Sequence, residues 1–392
     1  MAERNLDFDK EIDRHGTGCI KYDYAAERGM PEDVLSLWVA DMDFETSSYV
    51  QDALRERLQH GVFGYTEEVQ GYFESVSGWM LRHHGWKVEK PWLVKTPGVV
   101  FALAMAVQAY TEPGDGVLIQ QPVYYPFAGV IRDNGREVVS NSLSLGEDGR
   151  YHMDFEDFEK KITEHRIKLF FLCNPHNPVG RVWTKEELER LGDLCVKHQV
   201  TVVSDEIHQD FVFQGKHQVF ANLKKEYADI TVTCTAPSKT FNLAGLSMSN
   251  IFISNEAFRK QFLKQMDRAG VSQLNVMGLV ACEAAYRAGE EWYQGMMRYV
   301  ADNIAFVKRY VEDNLPGVCM AEHEGTYLVW LDFRGLGLSE AALEHKIIHE
   351  AKLWLDGGGM FGKEGSGFQR VNVACPRKLL EKALDRIRET LE

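Results

Sequence analysis

One lysine lies in a local sequence that suits an imine-forming amine. Residues 235–245, Thr-Ala-Pro-Ser-Lys-Thr-Phe-Asn-Leu-Ala-Gly, place Lys239 among small, hydroxylated and apolar residues directly after a predicted strand. A lysine that loses its hydration there has a depressed pKa, which leaves more of the neutral amine that attacks a carbonyl carbon. Taken alone, the segment leaves two interpretations open: a desolvated reactive lysine, or an ordinary solvated lysine on a loop.

Polar residues follow two other predicted strands, and a glycine precedes a predicted helix. Asp205 follows the predicted strand at 200–203. In open α/β sheets, ligands bind at the carboxyl ends of the strands. An Asp there can keep the ring nitrogen of a pyridine cofactor protonated. Residues 174–180, Asn-Pro-His-Asn-Pro-Val-Gly, offer two amides to a ring oxygen, although a plain strand-to-helix turn fits equally well. Gly98 opens a helix whose free N–H groups attract phosphate, a weak signal by itself.

The elements that must position these residues alternate between short β-rich runs and helical patterns from about residue 92 to residue 255. This rhythm is typical of βαβ units around a largely parallel sheet. Thr184 and Glu187 form a capping box before leucines at helical spacing, which predicts one of the covering helices. The candidate strands are 117–119, 137–139, 168–172, 200–203, 230–234 and 250–253.

The sequence pattern changes near Gly295. A long amphipathic stretch at 296–314 precedes an alternating strand at 327–333 and a helix around 341–352, which predicts a second α+β domain. No long linker separates the two parts, so we expect them to meet at a cleft. The expected division is an N-terminal segment, 1–45, that packs with the small domain, a large domain, 46–290, and a small domain, 291–392.

Composition and charge argue against several classes of function. The 44 Lys and Arg against 58 Asp and Glu give a net charge of −14, which disfavours nucleic acid and anionic membranes as partners. Seven scattered cysteines form no C-x-x-C pair, so we predict neither a disulfide framework nor a metal site. Residues 1–16 lack the apolar stretch of a signal peptide, and no run approaches the roughly 18 apolar residues of a membrane span. We therefore expect a cytoplasmic enzyme.

In combination, the motifs resemble the class I/II aminotransferase superfamily, the fold-type I pyridoxal-5′-phosphate (PLP) enzymes, over nearly the whole chain. The resemblance implies an α/β fold with a mostly parallel seven-stranded sheet in the large domain and a smaller α+β domain, with PLP as cofactor. The motifs, in their family order, are Pro97-Gly98, Pro122-Val123-Tyr124, Asn174 to Gly180, Ser204 to His208, Ser238 to Asn242, and Gln369 to Asn372.

The resemblance implies roles around the cofactor ring. Lys239 is similar to the lysine that forms the imine, and Asp205 to the partner of the pyridine nitrogen. Asn177 resembles a donor to the phenolic oxygen, and Tyr124 the aromatic residue stacked on the ring face. His208 stands where many transaminases have a tyrosine that contacts the cofactor.

Phosphate binding is implied for the backbone N–H groups of Gly98, Val99 and Val100, with Ser238 as a hydroxyl donor. Tyr65 resembles the tyrosine that reaches the phosphate in the neighbouring subunit, which implies a homodimer with shared active sites. The alternative is that this tyrosine packs within its own subunit.

Substrate binding is implied for Arg370, which resembles the arginine that grips the α-carboxylate, and for Ala40 in the N-terminal segment. The chain departs from many relatives near the phosphate. Ser247 stands where the transaminases have an arginine, and Ala236 where many have a hydroxyl residue. We therefore expect the phosphate to depend on backbone groups, on Ser238 and on a partner subunit.

The branch of the family is suggested by four further features: residues 37–44, His208, residues 360–362 and residues 372–377. They resemble the cystathionine β-lyase, or cysteine-S-conjugate β-lyase, branch. This implies α,β-elimination of cystathionine or another sulfur amino acid to pyruvate, ammonia and a thiol. Transamination of an L-amino acid is the alternative, because both reactions share the removal of the α-proton. A third hypothesis is an interaction module that needs no turnover.

Overall fold

The computed structural model describes residues 2–392. The strands are β1 Leu35–Ser36, β2 Leu93–Thr96, β3 Gly116–Ile119, β4 Glu137–Ser140, β5 Ser144–Leu145, β6 Tyr151–His152, β7 Leu169–Cys173, β8 Thr201–Asp205, β9 Thr231–Thr235, β10 Ser249–Phe252, β11 Cys319–Met320, β12 Leu328–Asp332, β13 Leu353–Trp354, β14 Asp356–Gly357 and β15 Phe368–Asn372. The α-helices are α1 Ser48–His60, α2 Tyr72–His84, α3 Val99–Tyr110, α4 Pro126–Asp133, α5 Phe155–Glu164, α6 Lys185–Lys197, α7 Lys225–Ala228, α8 Pro237–Thr240, α9 Glu256–Arg268, α10 Val276–Ala288, α11 Glu290–Asn314, α12 Glu340–His345 and α13 Arg377–Leu391.

A seven-stranded sheet forms the centre of the molecule, in the order β2-β10-β9-β8-β7-β3-β4. β10 runs antiparallel to both of its neighbours, and the other adjacent strands are parallel. Five strands are buried along their whole length, as apolar and β-branched runs covered by helices on both faces require: β3, β7, β8, β9 and β10. The predicted α/β fold and all six predicted strands are confirmed. β2 was not predicted, because this short edge strand alternates in burial and includes Lys95.

The helix predicted from the capping box is confirmed as α6. Thr184 Oγ1 accepts a hydrogen bond from Glu187 N at 3.2 Å, and the Glu187 carboxylate accepts one from Thr184 N at 2.8 Å. The leucine stripe faces the sheet through the fully buried Leu188 and Leu191. Across residues 2–392, none of the helices combines the length and the hydrophobicity that crossing a membrane requires.

The C-terminal part forms a second layered unit around a four-stranded antiparallel sheet, β11-β12-β15-β14. The predicted amphipathic stretch at 296–314 is the later part of α11, which begins six residues earlier because Glu290 and Glu291 supply a favourable acidic first turn. β1 pairs in parallel with β13, so the N-terminal segment contacts this unit. The domain boundaries themselves stay a prediction.

Ion pairs cross-link the N-terminal segment internally, and hydrogen bonds from Asn242 connect it to the body of the protein. Lys21 is fully buried, and its Nζ lies 2.6 Å from Asp43 Oδ2. Arg14 bridges two acids, with contacts of 2.6 Å to Asp41 and 2.7 Å to Asp43. Asn242 holds the same loop through hydrogen bonds to both the N–H and the carbonyl of Met42. Residues 40–43 are therefore held in one position beside the large sheet.

Candidate active site

A cleft of about 230 Å³ opens at the carboxyl ends of the parallel strands. Its wall contains ten of the twelve site residues predicted from the sequence: Ala40, Gly98, Val99, Val100, Tyr124, Asn177, Asp205, His208, Ser238 and Lys239. The other two lie elsewhere. Arg370 is buried behind the wall and bonded to Asn177, whereas Tyr65 is on the surface with 97% of its area exposed.

Lys239 projects into the cleft from α8, the one-turn helix that follows β9. Its Nζ donates a hydrogen bond to the backbone oxygen of Ala40 at 2.7 Å, and no carboxylate of residues 2–392 forms an ion pair with it. Desolvation lowers the pKa of Lys239 to about 8, with a further lowering by Arg370 that the charges of Asp41 and Asp205 oppose. A larger neutral fraction near neutral pH is the condition for an amine that forms an imine and moves a proton.

Asp205 lies at the end of β8, with only 3% of its surface exposed. Its Oδ1 accepts one backbone hydrogen bond, from Ile207 N at 3.2 Å, and no cation of residues 2–392 pairs with it. Burial raises the pKa of Asp205 to about 7, although the charge of Lys239 opposes the shift. A buried carboxylate in this state gains most from a protonated ring nitrogen as its partner.

Other side chains suited to contact a cofactor ring line the same cleft. His208 is buried, and its Nδ1 has no hydrogen-bond partner among the described residues. Burial lowers the pKa of His208 well below its ordinary value, so the ring is neutral. Asn177 Oδ1 accepts from Arg370 at 3.0 Å, which leaves the amide nitrogen free to donate to a ring oxygen. Tyr124 borders the same space and donates its backbone N–H to the Asn177 carbonyl at 2.9 Å.

The opposite end of the cleft is formed by the N-terminus of α3. Gly98 precedes this helix with φ 148°, a conformation that favours glycine, and no side chain caps the first N–H groups. Ser238 and Ser247 also line the cleft. Among residues 2–392, Lys239 is the only cationic side chain in the cleft wall, so a phosphate at this end would depend on backbone N–H groups and hydroxyls.

These features fit PLP. The unpaired acid Asp205 suits the pyridine nitrogen, the uncapped start of α3 suits the phosphate, and the amine of Lys239 suits the aldehyde. The orphaned Nδ1 of His208 provides a polar group that a ligand can satisfy.

Arg370 lies on β15. The structure shows that its partner is Asp356, a residue that the sequence did not indicate. Its guanidinium forms a buried ion pair with Asp356 on the adjacent strand β14. NH2 also donates to the backbone oxygen of Trp38 at 2.8 Å, whereas Nε is buried with no partner among the described residues. Asp356 begins an Asp-Gly-Gly-Gly run, which sequence reasoning interprets as a turn rather than as a partner of a functional arginine.

Sequence reasoning also missed several residues that shape the cleft. Tyr327 donates its hydroxyl to the same Ala40 oxygen that accepts from Lys239, at 2.8 Å. Ile207 and Met248 add apolar surface to the wall. Tyr327 begins the predicted strand at 327–333, and only the packing of this strand against the N-terminal segment reveals the contact with Ala40.

Comparison with known proteins supports the same assignment. The chain is 46% identical over 387 residues to the cystathionine beta-lyase PatB of Bacillus subtilis (strain 168), with 98% of this chain and 100% of that protein covered. Two solved structures superpose with TM-scores of 0.96 and 0.94. They are a PLP-bound putative aminotransferase from Clostridium difficile 630, at 42% identity over 99% and 100% of the chains, and cystalysin from Treponema denticola with a pyridoxal 5′-phosphate cofactor, at 38% identity over 98% of each chain. A model of the family described as aminotransferase class I and II matches residues 32–387, and the chain therefore belongs to that family.

Proposed function

We propose that this protein is a PLP-dependent carbon–sulfur β-lyase that cleaves cystathionine or other cysteine S-conjugates. One observation carries the proposal: the desolvated amine of Lys239 and the unpaired acid Asp205 lie in the wall of one cleft. The full-length similarity to a cystathionine beta-lyase supports the choice of sulfur substrates. The reaction consumes water and converts the cysteine part to pyruvate and ammonia, and the sulfur leaves as a thiol.

The side chains divide the chemical work. PLP, when bound, supplies an electron sink, which stabilises the electron pair left on the substrate α-carbon when its proton is removed. Lys239 Nζ accepts this proton, because its lowered pKa leaves a large neutral fraction near neutral pH. Asp205 holds a proton on the pyridine nitrogen through its buried carboxylate. Ala40 orients the amine, since its carbonyl accepts the hydrogen bond from Nζ.

Substrate orientation is assigned to Arg370. Its unpartnered Nε is a buried donor that a substrate carboxylate can satisfy. Asn177 steadies the guanidinium by accepting from NH1 at 3.0 Å. An amino acid held there presents its α-carbon to the amine of Lys239.

The direct test is to measure pyruvate and thiol together over a panel of S-substituted cysteines, including cystathionine. We expect equal amounts of both products, and loss of both in Lys239→Ala. Pyruvate release without thiol, or no release from any member of the panel, would contradict the proposal. The preferred substrate is the one with the highest kcat/KM.

Transamination is the second candidate, and the family model and the putative aminotransferase among the similar structures favour it. It shares the removal of the α-proton, but the amino group passes to a 2-oxo acid and no carbon–sulfur bond is broken. Incubation with an L-amino acid and a 2-oxo acid distinguishes the two reactions. A new amino acid formed faster than pyruvate would support the transaminase.

We also propose a homodimer with shared active sites. The segment around Tyr65 leaves several apolar side chains in solvent, and their exposed fractions are 55% for Leu58, 62% for Val62 and 54% for Phe63. A monomer rarely exposes such a group, and Tyr65, at 97% exposure, is free to reach a second copy. Because the described cleft wall offers the phosphate no cation except Lys239, the tyrosine hydroxyl of the partner subunit supplements the phosphate site in this proposal.

Mixed dimers test the shared site. A Tyr65→Phe subunit with intact Lys239 is combined with a Lys239→Ala subunit that keeps its tyrosine. One site then carries both defects and the other carries neither, so activity should exceed that of both parent homodimers. A fully active monomer in sedimentation, or activity equal to the parental average, would argue against shared sites.

A further inference from the structure

The pair of Asp356 and Arg370 is the most unusual arrangement beside the cleft. The two residues face each other on the antiparallel strands β14 and β15, and each side chain is 3% exposed. The carboxylate of Asp356 contacts NH2 of the guanidinium directly. Asp356 therefore already binds the guanidinium group of Arg370, to which the proposed function assigns the substrate carboxylate.

The remaining bonds of Arg370 limit how a second carboxylate can bind. NH2 donates to Asp356 and to the Trp38 carbonyl, NH1 donates to Asn177, and Nε has no partner among residues 2–392. A two-point grip on a carboxylate needs two adjacent guanidinium nitrogens, and both available edges include NH2. A two-point grip on a ligand carboxylate therefore requires the ligand to share NH2 with Asp356 or to displace Asp356 from it.

We propose that Asp356 competes with the substrate carboxylate for Arg370, so that it sets the affinity and the pH dependence of carboxylate binding. The inference rests on the proposed function, because it takes Arg370 as the group that binds the substrate carboxylate. Asp356 is then a specificity-determining residue that acts through the arginine rather than on the reacting atoms.

The charges around Asp356 give the sign of the pH dependence. The charged and titratable groups that interact with Asp356 are Arg370 on β15 and Tyr125 at the start of α4. Arg28 in the N-terminal segment acts on Tyr125, and Glu344 on α12 lies beside the adjacent Gly357. Burial raises the pKa of Asp356, although Arg370 opposes the shift. A second carboxylate on the same guanidinium disfavours two negative charges and raises this pKa further. Binding therefore takes up a proton, and affinity falls as pH rises through the pKa of the free site.

The competition has a consequence for turnover. Pyruvate, the proposed product, is itself a carboxylate and would be held by the same arginine. A site in which Asp356 competes for Arg370 binds carboxylates less tightly and releases such a product sooner. Weak ground-state binding of this kind does not reduce the rate of the chemical step.

The experiment uses the PLP-loaded protein and 3-(methylthio)propanoate, which is S-methylcysteine without its amine, so no group of the probe reacts with the cofactor. Isothermal titration calorimetry measures its affinity for the wild type and for Asp356→Asn. At about pH 8 we expect the variant to bind at least about tenfold more tightly, and we expect this advantage to disappear toward about pH 5. Equal or weaker binding by the variant at about pH 8 would overturn the proposal.

A matched control and a second measurement complete the test. Asp332→Asn removes the same charge from β12 of the same sheet, but Asp332 pairs with Arg334, so affinity should stay at the wild-type value. If Asp356→Asn does not fold, titrations of the wild type in buffers of different ionisation enthalpy decide the question. They should show proton uptake on binding, and its absence would contradict the proposal.

Two outcomes separate this inference from the proposed function. Arg370→Lys should bind the probe at least about tenfold more weakly, because a lysine cannot reproduce the planar fork. Unchanged binding would remove the arginine assignment, and the inference with it. A protein that binds the probe as expected but releases no pyruvate from cysteine conjugates would contradict the lyase function alone.

Discussion

Two lysines, Lys21 and Lys239, contact the same short loop and differ in their partners. Lys21 is fully buried and lies 2.6 Å from the carboxylate of Asp43, with Asp41 at 3.8 Å. Lys239 donates to the carbonyl of Ala40 and has no carboxylate in contact among the described residues. The loop at 40–43 thus presents carboxylates on one side and a backbone oxygen on the other.

The difference shows what makes a buried lysine structural or reactive. Ion pairs hold Lys21 as a cross-link within the N-terminal segment, between residue 21 and the loop at 40–43. A neutral carbonyl orients Lys239 without balancing its charge, so desolvation dominates and lowers the pKa to about 8. Burial alone does not distinguish the two residues, whereas the identity of the acceptor does.

Substitution of Lys239 should have the largest effect on activity. Lys239→Ala should reduce pyruvate release by at least about 10⁴-fold, because it removes the group that takes the α-proton. Coupled assays of pyruvate measure the loss, and circular dichroism serves as the control for folding. A folded variant that keeps more than a small fraction of the wild-type rate would contradict the role of this lysine.

Asp205→Asn should have the next largest effect. An amide cannot balance the charge of a protonated ring nitrogen, so we expect turnover to fall by about 10²-fold to 10³-fold at unchanged protein stability. The matched control is Glu206→Gln, because the adjacent acid is also buried but is bonded to Ser204 and His217 and lies outside the cleft wall. Near-wild-type kinetics in PLP-loaded Asp205→Asn would rule out the proposed role.

The pH dependence of cofactor attachment tests the lowered pKa of Lys239 without removing either lysine. Because a lowered pKa leaves the amine neutral at lower pH, the rate at which the apoprotein acquires the yellow absorbance of the imine should rise up to about pH 8 and then level off. The charge of Asp41 raises the pKa of Lys239, so Asp41→Asn should move this profile to lower pH. Stopped-flow absorbance measures both profiles, and a shift to higher pH would contradict the electrostatic account.

Removal of Lys21 should affect stability rather than chemistry. Lys21→Met leaves a buried carboxylate without one of its partners, which should lower the free energy of unfolding by about 3 kcal/mol. The rate per folded molecule should change only a few-fold. Lys10→Met is the control, since Lys10 forms an exposed pair with Glu45 and should matter little. Urea denaturation measures both variants, and equal stability losses would show that burial of the pair is unimportant.

Sequence reasoning succeeded where the local pattern and the tertiary structure impose the same requirement. The strands carrying Asp205 and preceding Lys239 are buried along their whole length, so their apolar runs are visible in the sequence. The capping box at Thr184 is a local signal that depends on no distant contact. Residues on these elements therefore reached the cleft as predicted.

It failed where a role depends on contacts between distant segments. Asp356 becomes the partner of Arg370 only through the register of two short antiparallel strands, which no local pattern encodes. Tyr327 reaches Ala40 across 287 positions of sequence. Tyr65 is exposed, so its predicted contact with the phosphate requires a second subunit, and the fold of one chain does not test that contact.

We expect Lys239, and not the more deeply buried Lys21, to carry the cofactor. Borohydride reduction of the PLP-loaded protein fixes the imine as a stable bond, and peptide mapping by mass spectrometry then locates it. We predict one labelled site per chain, at Lys239 within residues 235–245. A label on Lys21 or on any other lysine would contradict the account.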